Sequence, residues 1–163
     1  MGRCLGVKII IVDDVLSKFQ INEIVTYYDE NPDKLIGNWY TEPLNWQLDL
    51  LLLAGEYFNL KDQVGFESWG HITSRPDWHI DQDELAEQNG LIERPLCSIV
   101  YYPHVRLIRG GFFLTETEII KPKTNRAIIF SSGIEHSVEP WEGERISVAI
   151  NPWSFLPYTY RHK

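Results

Sequence analysis

The sequence predicts a mainly β chain with supporting N-terminal helices (α+β), its strands closing as a double-stranded β-helix, the jelly-roll or cupin-like type of barrel. Three observations predict it. Beyond residue 60, short runs rich in β-branched and aromatic residues alternate with Pro, Gly, Asn and Asp clusters. Before residue 60 the apolar residues recur at helical spacing instead. At 163 residues, 44% hydrophobic and 13% aromatic, the chain can fill one substantial core but not two comfortable ones. The expectation is therefore a single domain over 1–163, with 1–60 supplying a strand and helices and 61–163 the jelly-roll core. Such a fold hides strand edges and leaves a mouth where a small ligand can sit.

Each element has a local reason. VKIIIV, 7–12, is a β-branched run and reads as a strand, after which Asp13 or Asp14 can cap a helix from about 15 to 28. Val15, Phe19, Ile24 and Tyr28 would form its buried face. NPDK, 31–34, breaks that helix, and a second is expected from about 44 to 58 with Leu44, Leu48, Leu51 and Leu52 inward. SWGHITS, WHID, LCSIVYY, RLIRGGFFLTE, RAIIFSS and RISVAINPW then read as strands.

Charge and composition exclude several function classes. A net charge of -8 and a pI near 5.1, with no run of Lys or Arg, leave no attraction for nucleic acid or an anionic membrane surface. The most apolar stretch, LDLLLLAG at 48–55, is far shorter than the roughly 20 residues of a membrane span. MGRCLGVKIIIVDD does not read as a secretory signal, because its apolar run is short and acids follow at once. Cys4 and Cys97 form no spaced framework, so free thiols in a reducing, cytoplasmic setting are expected.

The chemistry concentrates in RPDWHIDQDE, 75–84. In extended backbone His79 and Asp81 share one face, so imidazole and carboxylate can converge. That pair alone is as easily a polar strand edge, and a metal needs a further ligand from elsewhere. Among the other histidines, His162 lies in the terminal RHK and reads as solvated, His104 follows Pro103 and reads as a loop residue, and His71 reads as a satisfied core residue or one supporting a site. His136 differs, because a turn near 140–143 follows it and then a returning strand on which Arg145, Ser147 and Ala149 share a face. An inward arginine needs a carboxylate, which its planar fork fits bidentately; none is assigned within the chain, and that of a bound co-substrate would serve. Two histidines and a carboxylate with open positions beside them are the ligand set of non-heme Fe(II) oxygenases.

HxD at His79 and Asp81, a histidine 55 residues beyond Asp81 at His136 and an arginine nine residues later at Arg145 resemble the 2-oxoglutarate- and Fe(II)-dependent dioxygenases, in their prolyl 4-hydroxylase-like branch. CSIVYYPH at 97–104, GGFFLTE from Gly110 and the stretch 125–153 are similar to family segments in the same order, as is KIIIVDDVLS near the start. The resemblance implies that His79, Asp81 and His136 ligate Fe(II) and that Arg145 binds the far carboxylate of 2-oxoglutarate. Tyr102 and Ser147 would assist Arg145, with Tyr101 pointing the opposite way. It implies a hydroxylase that uses O2, releases succinate and CO2 and takes ascorbate as a reductant. The substrate implied by branch is a prolyl residue in a peptide or protein; a free amino acid or other small molecule is the alternative.

Two departures bear on substrate. Collagen-type members carry Lys where Arg145 stands, and the family's tyrosine about ten residues before HxD is missing, with Trp69 or His71 in its region. Trp78 is expected to pack as a buried aromatic or to wall the substrate entrance, Arg75 to touch the substrate or to pack the rim, and Asp83 and Glu84 to form a solvated turn. Rival readings are a zinc hydrolase or deaminase, which would want a partnered general base or HxE with PCxxC, a metal enzyme without 2-oxoglutarate, and a catalytically silent cupin-like metal-binding module.

Overall fold

A computed structural model describes residues 7–163 of the chain. Cys4 and the opening of MGRCLGVKIIIVDD lie outside the described residues, together with what was expected of them. The elements run β1 (Ile9–Asp13), α1 (Lys18–Glu30), a 3-10 turn (Pro32–Leu35), β2 (Asn38–Tyr40), α2 (Asn45–Gly55), β3 (Gly65–His71), α3 (Glu84–Gln88) and β4 (Cys97–Gly110). β5 (Phe113–Thr115), β6 (Ile119–Ile120), β7 (Arg126–Ser131), β8 (His136–Val138), β9 (Trp141–Trp153) and α4 (Tyr158–Arg161) complete the chain.

All strand pairings are antiparallel, in a six-stranded sheet of order β1-β7-β4-β9-β3-β2 and a three-stranded sheet of order β6-β5-β8. The expected jelly roll is present as two facing sheets, without a continuous closed barrel among the described residues. WHID is not a strand: it meets β8 through one bridge, between His79 and His136. RLIRGGFFLTE divides between β4 and β5, because Gly110 and Gly111 take φ of +80° and +74° where the chain turns. A Cβ at Gly110 would stand 2.3 Å from the Pro140 carbonyl oxygen, so only glycine fits.

Period two along the large sheet sorts its side chains into two cores. Cys97, Ile99 and Tyr101 of β4 and Val148 and Ile150 of β9 face the helices, packing with Ile24 and Tyr28 of α1 and Leu50, Leu51 and Ala54 of α2. Tyr102, Ile128, Phe130 and Phe113 fill the second core, toward the small sheet. Tyr101 and Tyr102 thus diverge as expected, and the Tyr101 hydroxyl donates to Asn125 Oδ1 at 2.7 Å.

The helices differ from expectation in detail. α1 begins at Lys18 because Ser17, not Asp13 or Asp14, caps it: its hydroxyl accepts from Gln20 N at 3.2 Å, while Gln20 Oε1 accepts from Ser17 N at 3.0 Å. Asp13 instead ends β1, and Asp14 has φ of 57°. Phe19 is 72% exposed, leaving Ile24 and Tyr28 as the buried residues of α1. In α2 the buried residues are Trp46, Gln47, Leu50, Leu51 and Ala54, while Leu44, Leu48 and Leu52 are exposed. The run of four leucines made two phases equally apolar, and Trp46 and Ala54 decide between them. No helix among the described residues is long and apolar enough to cross a membrane.

Candidate metal and co-substrate site

Between the sheets lies a cavity of about 610 Å³, lined by alternate residues of β3 and β9. β3 contributes Glu67, Trp69 and His71; β9 contributes Arg145, Ser147, Ala149 and Asn151, paired so that His71 stands opposite Ser147 and Glu67 opposite Asn151. Val100, Phe113, His136 and the segment from Pro76 to Glu84 complete most of the wall.

His79 and His136 are brought together by backbone. Their amides and carbonyls exchange hydrogen bonds of 3.0 and 2.9 Å, and their ring centroids stand 4.3 Å apart. Each ring is oriented by a carbonyl two residues earlier: His79 Nδ1 donates to Asp77 O at 2.7 Å and His136 Nδ1 to Ile134 O at 2.9 Å. Because a carbonyl only accepts, Nδ1 carries a proton in both rings, which leaves Nε2 of each as the nitrogen that can meet Asp81 or a metal ion. Both point at Asp81 Oδ1, at 3.2 and 3.6 Å. The three donor atoms lie within 4.8 Å of one another, a cluster that can hold a metal ion. Phe113 and Phe130 pack on the His136 ring with centroids at 5.3 and 4.8 Å, fixing it from behind.

The charges of the cluster are mutually set. Burial disfavours charge on His79, but the Asp81 carboxylate and the Asp77 carbonyl outweigh it and lift its pKa above the ordinary value. Burial dominates at His136 and lowers its pKa. Burial would raise Asp81, yet the two imidazoles hold its carboxyl below the usual range. The result is an ionised carboxylate wedged between two imidazoles.

Arg145 is 3% exposed, and no carboxylate of the chain pairs with it among the described residues. Its guanidinium carbon lies 5.2 Å from the Tyr102 ring centroid and 4.7 Å from that of Trp141, and its Nε has no hydrogen-bond partner. A buried cation held only by ring faces, with an orphaned donor, is matched to an anion that the chain itself does not provide. Gly111, whose φ of +74° favours glycine, passes beside this corner: a Cβ there would meet Trp141 Cβ at 3.2 Å and Arg145 Cδ at 3.4 Å. Ser147 lines the cavity; Tyr102 is fully buried, its ring against the Arg145 guanidinium and its hydroxyl unpartnered.

Other expectations fared unevenly. His104 is not a loop residue but part of β4, where its Nε2 is 2.8 Å from Glu144 Oε2. His71 accepts from Trp69 Nε1 at 3.0 Å and its Nδ1 is 3.0 Å from Ser74 Oγ, while burial lowers its pKa to about 4. It is a satisfied neutral wall residue. His162 is exposed near the end, its ring 4.1 Å from that of Tyr158. Trp78 is not buried but 52% exposed on the cavity wall. Asp83 is not in a solvated turn: it is buried, caps α3 through Ala86 N at 2.9 Å and takes Thr159 N at 2.7 Å and Thr159 Oγ1 at 2.9 Å, tying α4 to the site. Cys97 is free and buried, its thiol pushed up to about 12, so it offers no nucleophile. Glu67, Asn151 and Trp141 escaped the sequence reading. For Glu67 and Asn151 the signal was there, since each continues a period-two face already carrying a site residue; Trp141 is brought to Arg145 only by the fold.

The chain superposes on solved structures at low sequence identity. A viral collagen prolyl hydroxylase from Paramecium Bursaria Chlorella virus-1, solved as a 2-oxoglutarate complex, matches with TM-score 0.62 and 15% identity over 93% of this chain and 99% of that one. A prolyl-4-hydroxylase from Pseudomonas putida gives 0.64 and 18% over 89% and 84%. A Trichoplax adhaerens prolyl hydroxylase, in complex with a hypoxia inducible factor peptide fragment, gives 0.58 and 13% over 90% and 83%. The chain has the fold of these prolyl hydroxylases. No family model and no curated protein matches it by sequence.

Proposed function

We propose that this chain is an Fe(II)- and 2-oxoglutarate-dependent oxygenase that hydroxylates an unactivated C–H bond, with a prolyl residue of a peptide as substrate. One observation carries the reading: a cavity that holds a His79, Asp81 and His136 cluster together with a buried, unpaired Arg145. A silent binding module has no use for an unpaired buried arginine, and a metal enzyme without a 2-oxo acid leaves it unexplained. The prolyl substrate rests on the printed names of the solved neighbours and on their shared fold.

The residues fit the groups. Two neutral imidazole nitrogens and one carboxylate oxygen suit ferrous iron, and three protein donors leave positions for a chelating 2-oxo acid and O2. Iron with O2 and the 2-oxo acid supplies the oxidising chemistry, giving succinate, CO2 and a hydroxylated product. The chain supplies orientation. The Asp77 and Ile134 carbonyls hold both imidazoles in the ligating tautomer. Arg145 takes the distal carboxylate of the co-substrate with Ser147 beside it, and the Tyr102 and Trp141 rings hold the guanidinium plane. Phe113, Val100 and Ala149 make part of the cavity wall apolar, which strengthens ionic contacts inside it by excluding water.

The test is succinate formation from 2-oxoglutarate with added Fe(II) and ascorbate, in the wild type and in His79→Ala. Succinate from the wild type alone supports the reading. A purified protein that binds neither Fe(II) nor 2-oxoglutarate sinks it.

A further inference from the structure

We infer that the substrate of this cavity carries an amine or guanidinium that meets the rim between Trp78 and Glu84, as a Lys or Arg beside the hydroxylated position would. This rests on the oxygenase reading, because it starts from the charge left over once that reading has used its groups. The charges of a divalent iron, Asp81, Arg145 and a dianionic 2-oxo acid sum to zero. Arg145 is the only Lys or Arg among the described residues that lines the cavity, and a buried arginine with an orphaned Nε marks this space as a ligand site. What remains on the wall is acidic: Glu67, Asp77, Asp83 and Glu84.

The four acids are not equally available. Asp83 is satisfied by Ala86 and Thr159, but those donors are neutral and leave its charge in place. Glu67 accepts from Trp153 Nε1 at 3.0 Å and Tyr160 OH at 2.8 Å, but burial raises its pKa, so it is not one of the charges that act here. Asp77 has Arg75 Nη1 at 3.8 Å, an exposed pair on the rim, and Arg75 also donates to the Val138 carbonyl. Glu84 is exposed and has no ion pair among the described residues. The histidines do not offset this, since His71 is held neutral and His79 and His136 face Asp81.

Trp69 and Trp78 line the same cavity, Trp78 half exposed and next in sequence to the first histidine. An indole face next to carboxylates is a good receptor for ammonium or guanidinium, through the ring quadrupole and the field of the acids together. An acidic substrate would meet the Asp83 and Glu84 carboxylates, while the rim cation Arg75 already stands beside Asp77. The asymmetry separates the two ends of one cavity: the Arg145 end takes anions and the Trp78 and Glu84 rim takes cations.

The experiment uses the protein loaded with Fe(II) and 2-oxoglutarate under anaerobic conditions, where the absorption of iron-chelated 2-oxoglutarate reports loading. Calorimetric titrations then compare Lys-Pro-Lys, Ala-Pro-Ala and Glu-Pro-Glu peptides, with lysine amide as a free amine. The cationic probe is expected to bind about tenfold tighter than the acidic peptide and to weaken with salt. The preference should shrink in Glu84→Gln and turn toward the acidic peptide in Glu84→Lys, with the chelate absorption retained. Tighter binding of the peptide than of lysine amide assigns the cation to a peptide side chain, and the reverse assigns it to a small amine. Equal affinities, preference for the acidic peptide, a preference untouched by both variants, or no measurable binding of any cationic probe at millimolar concentration overturns the inference. Loss of the chelate absorption in the wild type would instead overturn the oxygenase reading beneath it.

Discussion

Arg145 is the residue on which the site turns. Its guanidinium is buried against Tyr102 and Trp141, so the charge has been desolvated without an internal acid to repay it. Removing it separates the two halves of the site. Arg145→Ala should weaken 2-oxoglutarate binding by roughly a hundredfold, the scale for truncating one side of a buried charge pair, while leaving Fe(II) binding nearly intact. Separate titrations of metal and co-substrate check this; equal loss of both would make the arginine structural. Arg145→Lys should recover only part of the affinity, because an ammonium lacks the flat fork that two ring faces hold in place.

At the scale of elements, the edge strand β1 is fixed by one ion pair as well as by its ladder. Asp13 stands in register with Arg126 of β7, which donates to it through Nε at 2.7 Å and Nη2 at 3.0 Å, and Lys123 Nζ lies 3.3 Å away. The Arg126 contact holds the Asp13 carboxyl down to about 2. Since its folded pKa is depressed, its contribution is fully present above the ordinary value of 3.8 and is lost as pH falls through about 2. With the Asp13 side chain 32% exposed, solvent screening keeps that contribution to roughly 1 kcal/mol. Asp13→Asn should therefore lower stability in chemical denaturation at pH 6 by about that amount. The gap between variant and wild type should close toward pH 2, and a constant gap across the range would assign the loss to strand geometry instead. β4 and β9 work differently: one face of each builds the helix-side core and the other the cavity, so the same backbone register sets both.

At the scale of the molecule, the two cores should answer differently to truncation. Leu50 is fully buried between α2 and the large sheet, away from the cavity. Leu50→Ala should cost about 2–5 kcal/mol of stability with metal affinity in the folded protein unchanged. Phe113 lies in the other core and packs on the His136 ring. Phe113→Ala should cost a similar about 3–5 kcal/mol and in addition weaken Fe(II) binding, roughly tenfold, because the ring loses its backing. Denaturation with and without metal, beside direct metal titration, separates the two effects. A Phe113→Ala protein with wild-type metal affinity would mean that the Ile134 carbonyl alone orients His136.

Much of the site was legible along the chain because its residues obey local rules. Period two aligned Arg145 with Ser147, and an inward arginine required a carboxylate from somewhere. His79 and Asp81, by contrast, converge although 78–81 forms no strand and meets β8 only through the His79 bridge. Strand character beyond residue 60 followed from β-branched and aromatic runs between turn residues. The helix faces were harder: Leu44, Leu48 and Leu52 are as apolar as Leu50 and Leu51, and only the large sheet behind α2 selects the phase with Trp46 and Ala54 inward. Asp83 and His104 were misplaced because their partners, Thr159 and Glu144, are 76 and 40 residues away in sequence.

The sequence by itself therefore determined the fold class, the residue types of the site and which side chains share a strand face, since these depend on backbone period and side-chain chemistry over a few residues. The tertiary structure decided everything that depends on meeting across the chain. It joined His79 to His136 by a single backbone bridge, left Arg145 between two rings without a carboxylate partner among the described residues, and drew Trp78 and four acids into the lining of one cavity. Those are relations between segments far apart in sequence, and only the packing of two sheets brings them within the few ångströms over which charge and metal chemistry act.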